Sequence, residues 1–291
     1  MYYNSNNCKN QRGKPIMMSV YNVTELSQIQ RSRKYVFVFA EEHDIEKLGT
    51  APNVSMQLGY FDDELPIVFI LTEPELVAIY EHIIPSNAYL CLLDKNILKK
   101  HKWSAWEYVF EYCITHEVEY ALFAEWYSVL SKKEGDNLIP INMNKNPCFN
   151  WEGASALIDF SSWFNKMCVT ADNNKIAVLG VDRRHSTDLL QLSDKHFLEH
   201  CPYVPIQFIV YNFKQLKIVN CPKWLQTHTN NYILRDTMVA LSITALGGEV
   251  TTVEDFTVNA PSVTYTEEDL QTILSLPKKY PSLVRRTDAR P

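Results

Sequence analysis

Residues 67–93 read IVFILTEPELVAIYEHIIPSNAYLCLL, and this stretch decides the fold class. Ile67-Val68-Phe69-Ile70-Leu71 and Ala88-Tyr89-Leu90-Cys91-Leu92-Leu93 are short, continuous apolar runs, the pattern of strands buried on both faces. Between them, Thr72 and Glu75 are spaced as a capping box with Pro74 in the first turn, which predicts a helix ending near Ile83. The result is a strand-helix-strand unit.

Working outward, Tyr35-Val36-Phe37-Val38-Phe39-Ala40 is a further buried-strand run. Downstream, Ser104 and Glu107 form a second capping box and open a helical pattern that predicts one long core helix near 105–130. Trp106, Phe110, Cys113, Ile114 and Ala121 share one face of that helix, and Glu117 falls on the same buried face. Residues 131–150 have the Lys, Asn, Gly and Pro content of a connection. The second half predicts a strand over 175–181 ending at Asp182 and a hairpin from Ile206–Tyr211 to Gln215–Val219. A helix over 230–246, a strand over 249–253 closed by Glu254-Asp255, and a helix over 266–276 complete it.

Alternating helices and strands with a hairpin predict an α/β architecture, a mixed β-sheet with flanking helices. The expected organisation is a disordered N-terminus over 1–15 and an α/β half over 16–131. The 131–150 connection, an α/β half over 151–277 and a basic tail over 278–291 come after it, and the two halves are also readable as one continuous domain.

The hydrophobic share of 46% with only 8 glycines excludes disordered and fibrous classes. Seven cysteines without a C-x-x-C pair read as free thiols of a reducing compartment. No segment reads as a signal peptide or a membrane span, so the expectation is a soluble, cytoplasmic protein with no membrane partner. A net charge of -6 gives no global attraction to phosphate backbones; only the basic tail offers a tether for nucleic acid.

Four constellations bear on chemistry. His196-Phe197-Leu198-Glu199-His200 is an H-x-x-E-H run whose five residues resemble the motif of a class of zinc peptidases. The resemblance implies zinc on His196 and His200 and Glu199 as the base that activates water. The residues by themselves favour a surface helix whose histidines meet solvent, and a structural zinc site that recruits Cys201 or Cys221 is a further alternative. Ile114–Tyr120 resembles the H-E-x-x-H helix of zincins, but Tyr120 stands where the second histidine belongs.

Asp182 and Asp255, at the ends of strands separated by a hairpin and a helix, are loosely similar in order to ribonuclease-H-like nucleases; that resemblance implies Mg²⁺. Finally, Arg183, Arg184, His185, Ser186 and Thr187 come after a buried strand and have the donors to grip a phosphate or carboxylate. No G-x-G-x-x-G, P-loop or G-x-S-x-G occurs. With no complete catalytic set, the sequence favours an intracellular interaction or regulatory protein with a protein partner. The alternative is a metal-dependent hydrolase, through His196, Glu199 and His200 or through Asp182 and Asp255.

Overall fold

The computed structural model describes residues 25–40, 65–80, 88–101, 104–126, 129–135, 137–142, 156–157, 160–183, 208–218, 243 and 248–259. Strands β1 (Lys34–Ala40), β2 (Ile67–Leu71), β3 (Tyr89–Leu92) and β4 (Tyr120–Glu125) pair in parallel in the order β3-β2-β1-β4. The sheet continues through β9 (Phe208–Asn212), β8 (Ile176–Arg183) and β10 (Glu249–Asn259). Of these seven strands only β9 is antiparallel to its neighbours. β5 (Val129–Glu134), β6 (Asn137–Asn142) and the short β7 (Ala156–Leu157) extend the sheet beyond β10. The expected mixed α/β sheet with flanking helices is therefore the observed fold.

The buried runs alternate in strand period. Tyr35, Phe37 and Phe39 of β1 enter one core, and Val36, Val38 and Ala40 enter the other. The first core lies under α2 (Lys95–His101), α3 (Ala105–Thr115) and α5 (Phe213–Ile218), which insert Leu98, Trp106, Phe110, Phe213 and Leu216. The second lies under α1 (Pro74–Tyr80) and α4 (Phe160–Asn173), which insert Leu76, Tyr80, Trp163, Phe164 and Met167. In the first core Phe123 meets Trp106 edge-on at 5.6 Å and Tyr211 at 5.0 Å, ring geometries that add roughly 0.5–1.5 kcal/mol per pair beyond burial.

The single long helix over 105–130 does not form. Ser104 caps α3 through the expected box, its hydroxyl accepting from the Glu107 N–H while the Glu107 carboxylate accepts from the Ser104 N–H. The helix ends at Thr115, and Glu117 lies just beyond it with φ 58°. The Val118 N–H then donates to the Cys113 carbonyl at 3.1 Å, the six-residue return bond of a Schellman stop, and Val118 packs inward. Glu117 is thus an exposed stop residue and not a carboxylate on a buried helix face. The chain then enters β4, because Tyr120–Glu125 is buried at every position and so has no polar face to offer water from a surface helix.

Three further expectations are corrected. Residues 213–218 are α5 and not the second arm of a hairpin: the Asn212 side chain accepts from the Gln215 N–H at 3.4 Å and starts a helix. Within 131–150, residues read as connection form the β5–β6 hairpin up to Asn142. Glu254 and Asp255 lie inside β10 and do not close it. The expected helices over 230–246 and 266–276 and both chain termini lie outside the described residues, apart from Ile243.

The Glu117 stop sets a stability test. Left-handed backbone costs a β-branched residue most and glycine nothing. Glu117→Gly is expected to retain or raise the urea midpoint, whereas Glu117→Val is expected to lose about 1–2 kcal/mol. Equal midpoints for the two variants would contradict a helix stop made by positive φ.

Candidate functional site

The two faces of the sheet are filled with side chains, so a ligand has access to its edges. At the carboxyl edge the chain leaves β1 toward β2 on one side and leaves β4 toward β5 on the other. Adjacent parallel strands whose onward connections part in this way open a crevice, the usual ligand position in open α/β sheets.

Glu125 ends β4 at that crevice, in register with Phe39 of β1. The Trp126 N–H donates to the Phe39 carbonyl at 3.0 Å and carries the β1–β4 pairing one step beyond the strand. Trp126 is buried and meets Tyr80 of α1 edge-on at 6.0 Å. Strand alternation places Glu125 on the opposite face, that of Phe123, where it is 3% exposed. A carboxylate this buried must be protonated, paired or turned to a cation. Along the same edge Lys95, the first residue of α2, pairs with Glu73 in the loop beyond β2, and Asp94 caps α2 by accepting from the Asn96 N–H at 2.7 Å.

Among the described residues no group of three His, Cys, Asp or Glu side chains gathers as a metal cage. A zinc site built from protein ligands alone is not formed there. One carboxylate at a ligand crevice suits the other mode, a hard divalent cation held chiefly by the oxygens of a bound phosphate. The described thiols do not compete: burial pushes Cys91 and Cys168 up to about 12 and raises Cys113 well above the ordinary thiol value.

Asp182 and Asp255 come to the same edge. Val181 pairs with Val253 and Asp182 with Thr257, so Glu254, Asp255 and Phe256 stand outside the β8–β10 register. Asp255 is exposed there, while Phe256 is anchored against Trp163 at 6.0 Å. β8 lies two strands from β4, about 10 Å at ordinary strand spacing. Arg183 ends β8 in register with Val258. Arg184, His185, Ser186, Thr187, His196, Glu199, His200, Cys201 and Cys221 lie outside the described residues. Glu125 is hidden from a sequence reading that extends the helix through it. The signal is nonetheless present in Tyr120–Ala124, an apolar run ending in an acid as 176–181 ends in Asp182.

The amino edge is different in kind. Asp172, near the end of α4, accepts from Lys214 Nζ at 2.7 Å and from the Asn212 amide at 3.3 Å. Lys214 lies 4.7 Å from the centre of the Tyr120 ring. Burial opposes ionisation of Asp172, but the Lys214 ammonium and the Tyr120 and Asn212 donors together hold its carboxyl below the ordinary 3.8. Burial and the neighbouring carboxylate push the Tyr120 hydroxyl up to about 12. Here the charges satisfy one another, which marks a clasp between α4, β4 and α5.

No protein-family model matches the chain, and no curated protein sequence matches it. Solved structures do. The fold is similar to a mannosyltransferase from Pyrobaculum calidifontis in complex with GDP-Man and Mn²⁺, at 12% identity and a TM-score of 0.46, over 88% of this chain and 64% of that one. It is also similar to mouse xyloside xylosyltransferase 1, at 11% identity and a TM-score of 0.38, over 86% of this chain and 83% of that one. A cytidylyltransferase from Leptospira borgpetersenii matches at 9% identity and a TM-score of 0.38, over 90% of this chain and all of that one. The chain thus spans 64% of the mannosyltransferase's length. These neighbours are transferases, and they correct the expectation of a non-catalytic interaction or regulatory protein and of its hydrolase alternative. Of these three, the mannosyltransferase is the one described with a metal ion. No helix among the described residues is long and apolar enough to cross a membrane.

The clasp makes a pH prediction. Because the Asp172 carboxyl is depressed, its contribution is complete above the ordinary carboxyl value and is lost as pH falls through the lowered folded value. In urea unfolding from neutral pH into acid, Asp172→Asn should be less stable at neutrality and should lose less on acidification than the wild type. Parallel pH profiles for the two proteins would refute the clasp.

Proposed function

We propose that the chain is a divalent-metal-dependent transferase that takes a nucleoside diphosphate sugar as donor and holds it at the crevice between β1 and β4. The observation that carries this reading is the buried carboxylate of Glu125 at the switch point of the parallel strands. A crevice there takes nucleotides in open α/β sheets. The sequence has neither the glycine fingerprint for a dinucleotide nor a P-loop, so the pyrophosphate charge falls to a cation. Mg²⁺ or Mn²⁺ fits a site with one or two protein carboxylates and substrate phosphates; zinc does not.

Glu125 would hold that cation, whose chemistry is to neutralise the diphosphate so that it can depart as a leaving group. Trp126, fixed by its bond to Phe39 and its packing on Tyr80, keeps the floor of the crevice rigid and excludes water from beneath it. The open side of the edge, beyond β9 toward Asp182 and Asp255, is where an acceptor would approach. The GDP-Man and Mn²⁺ of the mannosyltransferase agree with this ligand class. The assignment itself rests on the crevice.

Calorimetry with GDP, UDP and CDP, each with Mn²⁺ and with EDTA, tests the reading. At least one diphosphate should bind in the presence of Mn²⁺ and lose its affinity in EDTA. Glu125→Gln should weaken that binding by about tenfold or more, at least 1.4 kcal/mol, with circular dichroism showing the variant folded. The reading fails if no diphosphate binds, or if Glu125→Gln binds as the wild type does.

A further inference from the structure

We infer that helix α2 forms a peripheral docking surface for an anionic lipid bilayer, independently of the chemistry at the crevice. Lys95–His101 carries three lysines and no acid, in a chain whose net charge is -6. Leu98 is buried and pins the helix to the first core. At 100° per residue, Asn96 and Lys100 lie opposite Leu98 and face outward, with Ile97 and Lys99 flanking them. All four are exposed, and Ile97 is 48% exposed, one of only two large apolar side chains so exposed among the described residues. Lys95 is engaged by Glu73, and among the described residues neither Lys99 nor Lys100 has an ion-pair partner. Among the described residues the outward face therefore presents lysines without an ion-pair partner beside an aliphatic side chain.

That combination fits a lipid headgroup layer better than an acidic protein. Ile97 can enter the headgroup boundary while the lysine stems lie along it and their ammoniums meet phosphates. An acidic peptide would use the lysines and leave Ile97 in water. The chain's net charge of -6 gives no global attraction to an anionic surface, so orientation would follow local positive faces such as that of α2. With no helix able to span among the described residues, the contact is peripheral, weak and salt-sensitive. Because α2 leaves the carboxyl end of β3, docking there brings the edge that carries Glu125 beside the bilayer.

Co-sedimentation of the full chain with vesicles tests the inference, using phosphatidylcholine alone and phosphatidylcholine mixed with phosphatidylserine, each at low and physiological ionic strength. The wild type should bind the mixed vesicles preferentially and release at higher salt. The double variant Lys99→Gln, Lys100→Gln should bind about thirtyfold more weakly, at roughly 1 kcal/mol per lysine. Ile97→Ser should also weaken binding, and circular dichroism should show all variants folded, since none of these side chains enters the core. Equal binding to both vesicle types, no binding to either, or binding untouched by the double variant would overturn it. So would retention on immobilised polyglutamate without vesicle binding, which would make the face a site for acidic protein.

Discussion

The parallel pairing of β1 with β4 is the constraint on which the rest of the structure depends. Six register pairs from Lys34–Tyr120 to Phe39–Glu125 join the two strands, and nearly every side chain along them is buried in one core or the other. Strands so enclosed can offer a ligand nothing along their length. Because the chain continues to opposite sides from these two neighbours, the first opening is at their carboxyl ends, where Glu125 and Trp126 stand. Packing thereby decides where chemistry can occur before any residue of the site is chosen.

The two edges of the sheet then divide electrostatic roles. At the amino edge Asp172, Lys214, Asn212 and Tyr120 satisfy one another, and the network fastens the second half of the chain to the first. At the carboxyl edge a carboxylate is kept almost out of water at the crevice, and the outer face of α2 carries Lys99 and Lys100 without an ion-pair partner among the described residues. Paired charges at the amino edge stabilise the fold, whereas charged groups at an opening or on a surface are where a ligand can reach them.

The parts of the fold legible in the sequence are those whose local pattern and tertiary role agree. The unit over 67–93 is an example, since a five-residue apolar run between turn signals is too short for a buried helix. The run Tyr120–Ala124 misleads because it comes after a genuine helix without a glycine or proline break; the stop is made by Glu117 in a conformation that composition does not announce. Asn212 has the composition of a turn residue, whereas it serves as helix cap and as donor to Asp172, a contact 40 residues away that no local pattern contains. α4 carries a readable signal that the sequence analysis does not use: Trp163, Phe164, Met167, Cys168 and Ala171 repeat at helical spacing and are all buried. The candidate site is mostly illegible, because Glu125 gains its meaning from strand order, and H-x-x-E-H stands out by spacing alone. Asp182 lies one residue before the end of β8 and Asp255 lies within β10 where its register with β8 shifts, and nuclease chemistry cannot be deduced from those positions.

Ligand binding at the carboxyl ends of β1 and β4 is tested most directly by amide hydrogen exchange of the protein with and without a binding nucleoside diphosphate and Mn²⁺. Added protection should be concentrated at Phe39–Ala40 and Glu125–Trp126, with the amino-edge residues Tyr120 and Asp172 unchanged. Protection centred elsewhere, with Phe39, Glu125 and Trp126 unaffected, would contradict a ligand site at this crevice.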